Sequence, residues 1–267
     1  MKSSNKNRRL ISNKISVAFL IAGILTLVLS IFYEIQALAL TGLGLTFFGA
    51  LFSFVRPRRY VQGDLLERVS ISVYSTIDRI INDFKYKGKC YYIPPVPETA
   101  NLPSHLKGLR DIVVFISANQ NTTLPTVEEM SKGKFLTKKS RGVLITPPGS
   151  GLLTHIEKQL QIDFTNMQLD ELCEVLPRLI IENLNLGKSM DLQSLKNGIR
   201  MEIVDSLYID FYSKETNLTS LNLIGDPIVS AVACAIAKAS SKTVTIEKQT
   251  TSPNGMTLEI QYQIMKG

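Results

Sequence analysis

The chain has 267 residues, of which 45% are hydrophobic, and it carries a formal net charge of +7. All of that charge comes from residues before position 60, where eight cations stand against Glu34 (8 − 1 = +7). Residues 60–267 are balanced, with 30 − 8 = 22 Lys and Arg against 23 − 1 = 22 Asp and Glu. A nucleic-acid-binding domain would itself be basic. The charge therefore argues against a nucleic-acid partner and points to a membrane.

Two uncharged apolar runs, residues 15–33 and residues 37–55, predict transmembrane helices. At 1.5 Å per residue each run spans roughly 28 Å, close to the thickness of the hydrocarbon core. Residues 34–36 alone separate the runs, so the two helices are expected to form a tight antiparallel hairpin. Small residues would allow the two backbones to approach closely, although they are also frequent in any apolar helix; they are Ala18, Ala22 and Gly23 on the first helix and Gly42, Gly49 and Ser53 on the second.

Positive charge flanks both runs and is absent from the turn between them, which indicates that both chain ends are cytoplasmic in a multi-pass protein of the plasma membrane. A cleaved signal peptide also begins with basic residues and an apolar run, but this run is longer than a signal core. The cations closest to the runs are expected to set the topology, and they are Arg8, Arg9, Lys14, Arg56, Arg58 and Arg59.

The expected organisation has four parts. A basic cytoplasmic N-terminus covers residues 1–14 and the hairpin covers residues 15–55. An amphipathic connecting helix covers residues 60–88, where apolar residues recur at three- and four-residue spacing. A mixed α/β cytoplasmic domain covers residues 89–267. Three cysteines without a C-x-x-C pair fit a reducing compartment.

Strands and helices alternate irregularly along the domain, and its last two strands are joined by Asn254-Gly255, a strong hairpin signal. The predicted fold class is therefore α+β (mixed α/β). Predicted strands cover residues 90–93, 111–117, 142–146, 198–204, 243–250 and 256–265. Predicted helices cover residues 152–160, 169–176 (ending at Pro177), 208–214 and 226–239.

Gly149, Ser150 and Gly151 lie in a loop between a predicted strand and a predicted helix, where backbone N–H groups can bind an anion. The loop lacks the Gly-Lys-Ser/Thr of a P-loop and the G-x-S-x-G of a nucleophile elbow. A tight packing turn with Ser150 as the helix N-cap is the structural alternative. His105 and His155 have no metal-ligand spacing. No catalytic residue, cofactor or metal is predicted.

A second candidate site is a run of five cations within ten residues. Near an anionic leaflet each cation could gain roughly 1 kcal/mol, so contact with lipid headgroups is one interpretation and a solvated loop is the other. The cluster consists of Lys132, Lys134, Lys138, Lys139 and Arg141.

The chain resembles a family of uncharacterised archaeal membrane proteins with a two-helix N-terminal anchor and a cytoplasmic domain. The likeness is carried by residues 145–149, 151–153, 176–177, 230–239 and 245–247. It implies an architecture and a membrane location, but no activity. In that family Cys-Pro is expected where this chain has Asp226-Pro227, so no thiol chemistry is expected there.

Three functions remain open from the sequence. The first is a membrane-anchored cytoplasmic module that binds a small ligand or a protein partner without catalysis. The second is an enzyme or anion binder at the membrane face that uses the loop of residues 147–151. The third is a structural or lipid-organising membrane protein, for which the bilayer and its anionic headgroups are the partners.

Overall fold

The computed structural model describes residues 4–54, 63–95, 111–120, 122–132, 134–212 and 218–265. The chain forms two compact units, Met1–Gln62 and Gly63–Gly267. Some predicted residues lie outside the described ranges, namely Arg56, Arg58, Arg59 and His105.

The described part of the first unit contains two helices, α1 (Ser4–Tyr33) and α2 (Gln36–Phe54), which pack against each other in antiparallel fashion. The chain reverses at Glu34, whose φ of 53° is left-handed. Helix α1 begins at Ser4, well before the predicted apolar run, so the basic residues Arg8, Arg9 and Lys14 lie in its first half.

Glycine residues bring the two helices of this pair into backbone contact. A Cβ added to Gly23 would lie 2.6 Å from the backbone nitrogen of Thr46, and one added to Gly42 would lie 2.9 Å from that of Leu27. A Cβ on Gly49 would also be too close to α1. Larger residues at these positions would push the helices apart.

One helical stretch among the described residues, Thr219–Ser240, is long and apolar enough to cross a membrane. It belongs to the second unit, and 83% of its most apolar window is buried inside the protein, as in the core helix of a globular domain. The apolar stretches of the first unit, Val17–Tyr33 and Gln36–Phe52, are shorter.

The described part of the second unit contains an eight-stranded sheet in the order β3-β4-β2-β1-β7-β8-β6-β5. Every neighbouring pair is antiparallel, which confirms the α+β fold class. The strands are β1 (Cys90–Ile93), β2 (Val113–Ser117), β3 (Leu136–Thr137), β4 (Gly142–Ile145), β5 (Ser189–Leu195), β6 (Gly198–Val204), β7 (Val244–Thr251) and β8 (Thr257–Ile264).

The helices of this unit are α3 (Gly63–Asp83), α4 (Val127–Ser131), α5 (Ser150–Leu160), α6 (Leu169–Arg178), α7 (Thr219–Ile224) and α8 (Pro227–Ser240). Contrary to the sequence prediction, the helix α6 does not end at Pro177. It continues into a π-helical turn, Leu179–Asn183. There the Leu184 N–H donates to the carbonyl five residues back, Leu179 O (3.2 Å), instead of four residues back. Such a turn lets the chain stay helical past a proline.

Helix α8 lies at the centre of the core. Its residues from Ile228 to Ala237 are all buried, and most of them are small. The alternating apolar positions of β8, such as Leu258 and Ile260, belong to the same core. Small side chains allow neighbouring elements to approach the α8 backbone closely.

Because α8 is buried, the N–H groups at its start need partners inside the protein. Asp226, which is 1% exposed, supplies them: its Oδ1 accepts from the Ile228 N–H (2.7 Å) and the Val229 N–H (2.9 Å). Its Oδ2 accepts from the Tyr212 hydroxyl at 2.9 Å. Burial raises the pKa of Asp226 to about 6, although these hydrogen bonds oppose the rise.

Four tyrosines converge on the same junction, and we call them the tyrosine cluster: Tyr74, Tyr92, Tyr212 and Tyr262. Besides the Tyr212 bond to Asp226, three hydroxyls donate to backbone carbonyls of residues 224–229. The pairs are Tyr74 to Gly225 O (2.7 Å), Tyr92 to Ile224 O (2.5 Å) and Tyr262 to Val229 O (3.0 Å). Burial raises the pKa of all four phenols well above 10, so they remain neutral.

Helix α7 is capped from a distant element. Asp78 of α3 accepts the N–H groups of Thr219 (2.9 Å) and Ser220 (2.6 Å), and the Ser220 hydroxyl donates to Tyr74 O. Helix α3, predicted within the connecting segment of residues 60–88, is thereby fastened to the domain.

We expect the wild type to lose stability as the pH rises from 4 to 7, and the Asp226→Asn variant not to show this loss. The carboxyl has a pKa of about 6 when folded and about 4 when unfolded, so the folded state binds more protons in this window. The free energy of unfolding of the wild type should therefore fall as the pH rises, by about 3 kcal/mol relative to the Asn variant, which still caps the helix. Urea unfolding followed by tyrosine fluorescence measures this difference. Parallel pH profiles would contradict the assignment.

Candidate functional site

The predicted anion loop, residues 147–151, joins β4 to α5 and uses two of its N–H groups within the protein. The N–H of Gly149 donates to the Ser230 hydroxyl of α8 at 3.0 Å, and the N–H of Ser150 donates to Pro147 O at 3.1 Å. The Ser150 hydroxyl donates to the same carbonyl at 2.8 Å. The helix N-cap is Gly149 rather than Ser150.

Gly149 is required by close packing on α8. A Cβ at this position would overlap the backbone of Ala231 and would lie 2.6 Å from Pro227 O. Gly151, by contrast, is exposed, and a Cβ there would meet nothing within 4 Å. His155 is exposed on α5, whereas the Ser150 hydroxyl is directed to Pro147. The loop thus has a packing role; anion binding by it stays a prediction.

A cavity of about 510 Å³ opens at one end of the sheet, where β8 and α8 end and β6 begins. This volume is in the range of small-molecule sites. The cavity is open to solvent on one side, and its lining comes from four separate parts of the described chain: Met167, Gln168, Leu169, Leu195, Lys196, Asn197, Gly198, Ala239, Ser240, Lys242, Ile264 and Met265.

The lining combines apolar walls with positive charge. Met167, Leu195 and Ile264 are typical of the apolar groups, and Lys196 and Lys242 are the charged ones. Among the described lining residues there is no carboxylate, histidine or cysteine. Such a lining suits binding of a small molecule that has an apolar body and a negatively charged group.

Sequence reasoning missed this cavity for a physical reason. The turn of residues 195–198 connects β5 to β6, and β5 was not predicted because its exposed, polar sequence lacks the pattern of a buried strand. The two lysines are 46 positions apart and come together through the pairing of β6 with β8 and the placement of α8.

The five cations predicted as a lipid-contact cluster are all exposed: Lys132 is the C-cap of α4, Lys134 lies between α4 and the edge strand β3, and Lys138, Lys139 and Arg141 lie in the turn between β3 and β4. The fold adds three more exposed cations to them: Lys85, Lys87 and Lys89. We call this surface the basic end, and it consists of Lys85, Lys87, Lys89, Lys132, Lys134, Lys138, Lys139 and Arg141. A K-x-K-x-K pattern is visible in the sequence, but its position beside the cluster is not.

Backbone hydrogen bonds across the sheet place these two groups of cations side by side. The N–H of Lys87 donates to Ala118 O at 3.0 Å, and the N–H of Ala118 donates to Arg141 O at 2.9 Å. Lys87 and Arg141 therefore lie on either side of the end of β2, about two strand spacings apart.

The thiols of the chain are in poor positions for nucleophilic chemistry. Cys90 and Cys234 are buried, and burial raises the pKa of each thiol well above its usual value. Burial also raises the pKa of Cys173 to about 11. At neutral pH all three are protonated and therefore weakly nucleophilic. The described residues contain no group of three or more His, Cys, Asp or Glu arranged as metal ligands.

The model of a family described as "Domain of unknown function (DUF7982)" matches residues 2–262, and the chain belongs to this family. No curated protein and no solved structure matches the chain. Membership in an uncharacterised family is thus confirmed, while the archaeal source and the membrane anchor suggested by the resemblance remain predictions. The family description names no activity.

We expect Gly149→Ala to destabilise the domain by at least about 2 kcal/mol, because the new methyl group would overlap the α8 backbone, which cannot move aside freely. Gly151→Ala is the matched control two residues away, and it should be neutral or slightly stabilising because its methyl group has open space. Urea unfolding of both variants measures the difference. Equal stabilities would show that the loop does not depend on this contact.

Proposed function

We propose that the chain is a membrane-anchored ligand-binding module, in which α1 and α2 cross the bilayer and the second unit binds a small amphipathic anion on the cytoplasmic side. The proposed membrane anchor rests on one observation, the exposed apolar side chains on the outer surface of the α1–α2 pair. The observation that supports ligand binding is the cavity with Lys196 and Lys242 at the end of the sheet.

Between residues 17 and 52, where side chains are described, the exposed side chains of the α1–α2 pair are mostly apolar. Ile31, Phe32 and Leu40 are 79%, 80% and 76% exposed, and many other large apolar side chains of the pair are about half exposed. At about 25 cal/mol per Å² such a surface is very unfavourable in water and favourable in lipid. Glycines at the contact between two helices, together with large apolar side chains on the outer surface of the pair, are typical of transmembrane packing.

The orientation of the anchor follows from charge. Basic residues precede α1's apolar part and follow α2, and the turn at Glu34 has none. Lys and Arg near transmembrane segments are retained on the cytoplasmic side, which supports a cytoplasmic location for both ends of the chain and for the second unit.

The cavity supports binding of an anion with an apolar tail. Two ammonium groups without a lining carboxylate favour a carboxylate or phosphate, and the methionine and leucine side chains favour an aliphatic or aromatic body. The cavity is large enough for a ligand of roughly ten to twenty non-hydrogen atoms by the usual size of such sites.

Cysteine labelling tests the anchor in a Cys173→Ser background, where the two remaining cysteines are buried. We expect Gln36→Cys, at the exposed first residue of α2, to react with a membrane-impermeant maleimide on intact cells. Lys158→Cys, on the exposed face of α5, should react after lysis and not before. Labelling of position 158 on intact cells, or release of the chain by alkaline carbonate, would refute the proposed topology.

Ligand binding is tested with decanoate as the probe and the full chain in lipid nanodiscs. We expect decanoate to raise the melting temperature of the domain, and the double variant K196Q/K242Q to weaken its binding by at least about tenfold, since two charge-assisted contacts are lost. The variant K158Q/K248Q, which removes two exposed lysines elsewhere, controls for partition of decanoate into the nanodisc. Binding that is equal in both variants would rule out this cavity as the site.

A further inference from the structure

Hydrogen bonds to side chains hold the backbone of the basic end on both sides. Glu129 of α4 accepts the N–H of Lys139 at 2.9 Å and the hydroxyl of Ser140 at 2.6 Å, which fixes the turn after β3. On the other side, the Ser117 hydroxyl accepts the N–H of Lys89 and donates to its carbonyl. Hydrogen bonds therefore hold the backbone that carries these cations at this end of the sheet.

The charge of this surface is strongly asymmetric within the domain. Within the two segments that carry these cations, residues 83–89 and 128–141, eight Lys and Arg stand against three carboxylates, Asp83, Glu128 and Glu129, which leaves 8 − 3 = +5. Since residues 60–267 sum to zero, the remainder of the domain carries −5. Lys132 is paired with Glu128 at 2.9 Å, and the ammonium groups of the other lysines in the cluster are exposed. An anionic plane would therefore attract this end and repel the rest of the domain.

Large apolar side chains are exposed among these cations. Phe84, Phe135 and Leu136 are 45%, 44% and 42% exposed, and Val127 on α4 is also exposed. In the sequence order Lys134-Phe135-Leu136-Thr137-Lys138-Lys139, cations lie on both sides of the two-residue edge strand β3 and of the apolar residues Phe135 and Leu136. This combination is typical of surfaces that place cations at lipid headgroups and insert apolar groups between them.

Two other occupants of this surface are disfavoured by the same observations. Edge-to-edge pairing of β3 with a second copy would bring the cations of both copies together, which is the usual protection of an edge strand. A nucleic acid would be attracted by the charge but would leave Leu136 and Val127 without an apolar partner.

We propose that the basic end docks on the anionic headgroups of the bilayer leaflet, with Phe135 and Leu136 at the level of the headgroups. This contact is separate from the α1–α2 anchor and from the cavity. It holds the second unit against the membrane in one orientation.

The test uses the full chain in nanodiscs of phosphatidylcholine alone or mixed with phosphatidylglycerol. An environment-sensitive fluorophore is placed at Leu136→Cys in the Cys173→Ser background, and nitroxide-labelled lipid serves as the quencher. We expect quenching in the mixed discs and not in phosphatidylcholine. The same label at Leu195→Cys, which is exposed at the opposite end of the sheet, should remain unquenched in both.

Charge reversal identifies the residues responsible. K138E/K139E should lower the docked fraction by at least about tenfold, since each cation near an anionic surface contributes roughly 1 kcal/mol. The control K158E/K188E reverses two exposed lysines, one on α5 and one beside the opposite edge strand β5, and should leave docking unchanged. Quenching that is equal in both lipids, quenching at both labels, or no quenching at position 136 would each overturn the proposal. So would binding of a duplex oligonucleotide that K138E/K139E abolishes while lipid quenching never appears.

Discussion

The second unit depends on how the chain starts the helix α8 inside the core. A buried helix leaves its first N–H groups without water, and each unpaired group would cost roughly 1–3 kcal/mol. Asp226 satisfies two of them, and Tyr212 satisfies the remaining oxygen of the carboxyl group. This arrangement buries a group that can ionise, and the raised pKa of Asp226 shows that burial outweighs its hydrogen bonds.

The tyrosine cluster connects distant parts of the chain to the start of α8. Tyr74 comes from α3, Tyr92 from β1 and Tyr262 from β8, and each donates to a carbonyl between Ile224 and Val229. Rings of this size also fill the space between helix and sheet, so each contributes burial as well as a hydrogen bond. The position of α3, of the central strands and of the last strand is thereby fixed against one segment. The glycine at position 149 then allows α5 to pack on the same helix.

The sequence was sufficient to predict those elements whose ends are capped or turned by residues a few positions away. The helix after Asp226-Pro227 and the hairpin at Asn254-Gly255 were predicted because capping and turn residues act within a few positions. Helix α7 was missed because its cap is Asp78, about 140 positions away, and β5 was missed because it is an exposed edge strand. The five-cation cluster was predicted, but Lys85, Lys87 and Lys89 join it through the pairing of β1 with β2 and of β2 with β4.

The two candidate surfaces of the domain lie at opposite ends of the sheet. Lys87 and Lys89 precede the start of β1, whereas Lys242 precedes the start of β7, and these strands are antiparallel neighbours. A domain that rests on the leaflet through its basic end therefore opens its cavity away from the bilayer. A ligand must then reach Lys196 and Lys242 from the aqueous phase rather than by lateral diffusion in the membrane. The two proposals together therefore favour a soluble amphipathic anion over a two-chain phospholipid as the occupant of the cavity, and they involve separate residues.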